Sequence, residues 1–158
     1  MEMLLEDIAQ LAQRRSAVIA TAESCTGGWV AQELTSIAGS SVWFDRGFVT
    51  YSNAAKEEML GISAEIIKNH GAVSEQVVKA MAEGVLAKSS ASISVSISGV
   101  AGPGGGSVEK PVGTVWFAWG EAGQETEVRK CCFDGDRESV RKQAVRVALQ
   151  GILKKLSA

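Results

Sequence analysis

Hydroxyl side chains, one lysine and a run of glycines form the chemically suggestive set in this sequence. They lie in Ala22-Glu23-Ser24-Cys25-Thr26-Gly27-Gly28, in Gly39-Ser40-Ser41, in Tyr51-Ser52-Asn53-Ala54-Ala55-Lys56, and in Ser98 followed by Gly99-Val100-Ala101-Gly102-Pro103-Gly104-Gly105-Gly106. None of these segments holds a histidine; the single one, His70, stands elsewhere. A serine hydroxyl is a poor nucleophile until a neighbour takes its proton. Here lysine is the candidate base, and it can act only if burial or nearby positive charge brings its pKa down from about 10.4. A second serine can hold the amine in place. A glycine loop exposes backbone N–H groups that can receive a developing oxyanion, worth about 3–4 kcal/mol. The combination points to serine nucleophilic chemistry with lysine as general base.

Plainer uses exist for each residue. Ser24 suits the cap of a following helix, Ser41 a turn, and Lys56 a solvated helix surface. Tyr51 can close a strand with its hydroxyl in water. Cys25, with no histidine beside it, reads as a buried thiol. Arg137 sits at a helix start beside Asp134 and Asp136, where the dipole disfavours a cation, so an anion-binding role is in view. The glycine loop is neither a dinucleotide fingerprint, since Pro111 and a strand follow it, nor a P-loop, since no Gly-Lys-Ser/Thr closes it.

These residues need elements to hold them. Leu4, Leu5, Ile8, Leu11 and Ala12 recur at helical spacing and predict a helix over 3–14, followed by a buried strand at 17–21. A second helix is expected over 27–37, a turn at 38–41, and a strand at 46–51. Asn53 is read as the N-cap of a helix carrying Lys56, with helical residues continuing through Ile67. Ser74 caps a helix over 75–88. Alternation of Ile93, Val95 and Ile97 with serines marks the central strand, 91–98. Strands at 113–119 and 125–133 form a hairpin, and a last helix spans 137–156. The pattern implies a three-layer α/β/α sandwich with a mixed, mostly parallel five-stranded sheet. The loops 22–28, 50–56 and 98–107 then gather at strand C-termini, the usual ligand edge of such sheets, and the turn 38–41 is expected to fold over them.

The 158 residues fit one domain, 1–158, with 46% hydrophobic and 22% charged residues and a net charge of −2. There is no basic footprint for nucleic acid, no apolar run long enough for a membrane span, and no basic-then-apolar start of a secretory signal. A cytoplasmic protein is expected. Three cysteines and one histidine argue against a disulfide framework or a structural zinc site. Trp116 and Trp119 fit either core packing or an interface, so a homo-oligomer, such as a dimer, stays open.

Taken together, Thr21–Gly28, Gly47–Lys56, His70–Ser74, Ser98–Pro103 and Lys110–Val115 resemble the CinA C-terminal domain family, in order and across nearly the whole chain. Its characterised members are nicotinamide-nucleotide amidohydrolases. The resemblance implies hydrolysis of the carboxamide of nicotinamide mononucleotide to nicotinate mononucleotide and ammonia, in pyridine-nucleotide recycling, with no metal and no organic cofactor. It implies Ser41 as nucleophile, Lys56 as general base and Ser24 as the residue orienting Lys56. Tyr51, Ser98 and Arg137 would bind substrate or stabilise the oxyanion, with Gly99, Gly102, Gly104 and Gly105 as loop donors. Spacing alone leaves Ser24 and Ser41 as rival nucleophiles. Many relatives carry a second domain fused ahead of this one, and some lack deamidase activity. The alternative reading is therefore a catalytically silent nucleotide-binding or regulatory module.

Overall fold

The computed structural model describes residues 1–158. Six α-helices, α1 (Glu2–Arg14), α2 (Trp29–Thr35), α3 (Asn53–Leu60), α4 (Ala64–His70), α5 (Glu75–Lys88) and α6 (Arg137–Ser157), accompany five strands. The strands are β1 (Ile19–Glu23), β2 (Phe44–Val49), β3 (Ile93–Gly99), β4 (Thr114–Glu121) and β5 (Glu127–Cys132), in the spatial order β2-β1-β3-β4-β5. β1 pairs in parallel with both β2 and β3, whereas β3–β4 and β4–β5 are antiparallel. Only β4 is reversed, which gives the mixed three-layer sandwich expected from the sequence. No helix is long and apolar enough to cross a membrane.

The alternation in β3 divides the core between the two helical layers. Ile93, Val95 and Ile97 join α1 and α6 in one cluster, with Phe117 and Trp119 of β4. The intervening serines face α5, where Ser94 Oγ donates to the Ala82 carbonyl at 2.8 Å and Ser96 Oγ to the Val78 carbonyl at 2.6 Å. Small side chains let α5 come close, and their hydroxyls, fully buried, find acceptors in helix carbonyls. A second cluster on that side holds Val77, Val78, Met81 and Val85 of α5 against Ala20 and Ala22 of β1.

Several boundaries differ from the periodicity. Gly27 (φ 60°) and Gly28 (φ 102°) adopt left-handed conformations, so α2 starts only at Trp29. Ser52, not Asn53, caps α3, its side chain accepting from the Ala55 N–H at 3.0 Å. The apolar spacing through Ile67 covers two helices, because Gly61 ends α3 in the αL conformation and Ser63 caps α4. The turn at 38–41 becomes a short 3-10 segment, Ser40–Val42, just ahead of β2.

Trp119 is 1% exposed, stacks on Phe117 with ring centroids 5.7 Å apart, and donates its Nε1–H to the Ala148 carbonyl at 3.1 Å. Trp116 is half-buried and lies under the Lys130 ammonium. A Cβ at Gly151 of α6 would overlap the Trp119 indole. Gly151→Ala is therefore expected to destabilise the fold by about 1–3 kcal/mol in urea unfolding; wild-type stability would contradict this packing of α6 on β4.

Candidate functional site

The chain passes from β1 outward to β2 and then returns to β3 on the other side of β1, which opens a crevice at the C-terminal ends of β1 and β3. A cavity of about 240 Å³ sits there, lined by Ser24 after β1, Tyr51 and Lys56 after β2, Ser98 and Gly99 at the end of β3, and Arg137 at the start of α6. The crevice thus gathers the three loops the sequence singles out.

Lys56 is 1% exposed although it belongs to a short surface helix. Its ammonium donates to the Thr50 carbonyl at 2.9 Å, the Tyr51 carbonyl at 3.3 Å and Ser24 Oγ at 3.3 Å. No carboxylate forms a salt bridge with it. Glu23, the nearest acid in sequence to Ser24, is fully committed elsewhere. Its carboxylate accepts from Thr26 Oγ1 at 2.6 Å and from the N–H groups of Val30 and Ala31 at 2.8 and 3.0 Å, at the start of α2. Burial therefore holds the Lys56 amine below its ordinary 10.5. The only opposing influence is negative charge on Cys25, and burial pushes that thiol up to about 11, so at neutral pH it carries none. The same shift leaves Cys25 a poor nucleophile.

Ser41 requires a correction. The segment Ser40–Val42 precedes β2, and the next residue, Trp43, accepts the Ile19 N–H at 2.7 Å, at the N-terminal end of β1. The cavity lies past Glu23, at the other end of the same strand. The five residue steps from Ile19 to Ser24, at roughly 3.3 Å each, separate the two ends by about 16 Å. Ser41 is exposed and does not line the cavity, and the turn 38–41 does not fold over it. The turn follows α2, which runs back along the sheet to the strands' N-terminal end.

The glycine loop contributes less than its composition suggests. Gly99 and Ala101 line the cavity, but Gly104 and Gly105 are exposed and lie outside it. Gly102 offers its carbonyl rather than its N–H, accepting from Arg137 Nη1 at 2.9 Å. Arg137 Nη2 also reaches the Tyr51 hydroxyl at 3.4 Å, so guanidinium and phenol together form one rim. The N–H of Cys25, the residue after Ser24 and itself a cavity wall, has no protein oxygen as acceptor.

Arg141 was not legible as a site residue. One turn beyond Arg137 on α6, it donates Nε to the Cys25 carbonyl at 3.0 Å and Nη2 to the Thr26 carbonyl at 3.2 Å. Its guanidinium also lies over the Trp29 ring, 5.4 Å from the centroid. These bonds fix the peptide planes that follow Ser24. The available signal was the i, i+4 spacing of the two arginines on one helix.

The arrangement can activate a serine. If the amine is neutral, the contact at 3.3 Å runs in the other sense, with the Ser24 hydroxyl donating to the lysine lone pair. The CinA C-terminal domain model matches residues 1–156, and the chain belongs to that family. It is 58% identical over 147 residues to the nicotinamide-nucleotide amidohydrolase PncC of Escherichia coli K12, covering 93% of this chain and 89% of that protein. It is 52% identical over 141 residues to the PncC of Pseudomonas putida, covering 89% and 88%. The crystal structure of the competence damage-inducible protein A of Klebsiella pneumoniae superposes with a TM-score of 0.94 at 44% identity, covering 98% and 96% of the two chains.

Two outcomes are expected from this geometry. The unfolded chain binds more protons than the folded one between the lowered Lys56 pKa and 10.5, so wild-type stability relative to Lys56→Met should rise with pH across that window; a flat difference in urea titrations would contradict the shift. Arg141→Ala should speed amide hydrogen exchange across residues 24–28 while β3 stays protected, and unchanged exchange would show that the loop does not depend on it.

Proposed function

We propose that this chain is an amidohydrolase that converts nicotinamide mononucleotide to nicotinate mononucleotide and ammonia, with Ser24 as nucleophile and neutral Lys56 as base. The observation that carries the mechanism is the buried, carboxylate-free amine in contact with Ser24 Oγ. The substrate is supported by the name of the relatives at 52–58% identity. The family match over residues 1–156 supports reading the chain as one amidohydrolase domain. A cytoplasmic site of action agrees with such a substrate and with three free cysteines.

Ser24 Oγ attacks the carboxamide carbon as its proton passes to the Lys56 amine. The carbonyl electrons move to oxygen, and the oxyanion meets the Cys25 N–H, with Gly99 and Ser98 on the facing wall. Collapse of the tetrahedral species breaks the C–N bond, Lys56 returns the proton to nitrogen, and ammonia leaves. Water then attacks the resulting ester while Lys56 takes one of its protons. Expulsion of Ser24 Oγ, reprotonated by Lys56, frees the carboxylic acid, which loses its remaining proton to water to give the carboxylate product. Each transfer uses one amine in alternating protonation states, the pattern for which a pKa lowered towards the working pH is suited.

Lys56→Arg, which cannot give up its proton, should cost about 10²–10⁴ in ammonia release from nicotinamide mononucleotide, and Ser24→Ala, which removes the nucleophile, at least as much. Ser41→Ala should turn over normally. Activity should rise with pH along an ascending limb centred below 10.5, the direction set by burial of Lys56. A Ser41→Ala enzyme that is dead while Ser24→Ala stays active would reverse the assignment of the nucleophile. Saturable nucleotide binding with no ammonia would favour the silent-module reading.

A further inference from the structure

Two motifs that take no part in the chemistry at Ser24 and Lys56 are brought together by the fold. They are His70-Gly71-Ala72-Val73-Ser74 and Lys110-Pro111-Val112-Gly113-Thr114-Val115. Lys110 Nζ donates to the His70 carbonyl at 2.8 Å. Gly71 permits the approach, since a Cβ there would stand 2.9 Å from that ammonium. Beside this contact runs a groove of about 310 Å³ with Lys110, Lys130, Trp116 and Ser74 among its walls. It adjoins the catalytic cavity, and Val73 lines both.

The groove is equipped for an anion. Lys110 gives one of its three N–H donors to His70 and keeps two. Lys130 stands on β5 with its ammonium 5.9 Å from the Trp116 ring centroid. Glu75 and Glu109 also line the groove, yet neither lysine is in a salt bridge. The N–H groups of Glu75 and Gln76, in the first turn of the 14-residue helix α5, have no acceptor in the protein and add the positive end of its dipole. The cavity at Ser24, about 240 Å³, is also smaller than the ~300–1,000 Å³ usual for a whole small ligand. A mononucleotide seated there by its carboxamide must extend beyond it.

The geometry points to this groove as the site of the substrate's phosphate, held by Lys110 and Lys130, with the ribose crossing Val73 and the carboxamide at Ser24. This rests on the nucleotide-amidase reading above. It assigns to the groove a phosphate monoester, bound by charge-assisted hydrogen bonds.

The test compares ammonia release from nicotinamide mononucleotide with release from the matching nucleoside, which lacks the phosphate, in wild-type, Lys110→Met and Lys130→Met protein. For the nucleotide, KM should rise about tenfold in each variant with kcat within about twofold, and KM for the nucleoside should shift by less than about twofold. Equal rises for both substrates, or an unchanged KM for the nucleotide, would overturn the phosphate site and leave the amidase reading standing. If wild-type protein releases ammonia from neither compound, the amidase reading fails and the groove is judged alone, by calorimetry with inorganic phosphate. Binding that is lost in both variants supports the site; binding kept in both, or absent from wild-type, overturns it. Thermal melts check that each variant is folded, and Lys130, exposed on an edge strand, provides the variant least able to disturb packing.

Discussion

Everything at the candidate site depends on a lysine amine taken out of water with no carboxylate beside it. Burying an ammonium is costly unless a counterion accompanies it, and a protein relieves the cost by letting the group lose its proton. Around Lys56 the partners are carbonyl oxygens and one hydroxyl, which satisfy hydrogen bonds without supplying a full negative charge. A carboxylate in place of any of them would hold the proton on and remove the base.

The rest of the architecture keeps that site free of negative charge. Glu23 is the acid best placed to interfere, and the start of α2 takes up both its oxygens. Cys25 is buried enough to stay a thiol at neutral pH. Sheet order puts the ends of β1 and β3 side by side, so Ser24 and Gly99 face one another across the crevice, and the short helix after β2 delivers Lys56 between them. α6 then secures both walls with two arginines a turn apart, Arg137 to the Gly102 carbonyl and Arg141 to those of Cys25 and Thr26.

Much of this was readable in the sequence. Alternation in β3, the hairpin, the Ser74 cap and the long last helix follow from local patterns, and so does the gathering of three polar loops at one edge. Helix ends at glycine were misread where apolar spacing ran through a break, as at Gly61, because periodicity does not register a single αL residue. The choice between Ser24 and Ser41 was not local at all. Both are small-residue turns in the sequence, and only the return of the chain along α2, with β2 starting where β1 starts, shows that they stand at opposite ends of the sheet. Arg141 was missed for a related reason: its partners are backbone carbonyls more than a hundred residues away, which no side-chain pattern encodes.

The most direct measurement is an NMR titration of the Lys56 side-chain nitrogen or ε-carbon in otherwise intact protein, assigned by its absence from Lys56→Met. Titration with a midpoint below 10.5 is expected from burial without a counterion. A midpoint at or above 10.5 would mean that the amine keeps its proton, and the serine beside it would have no base.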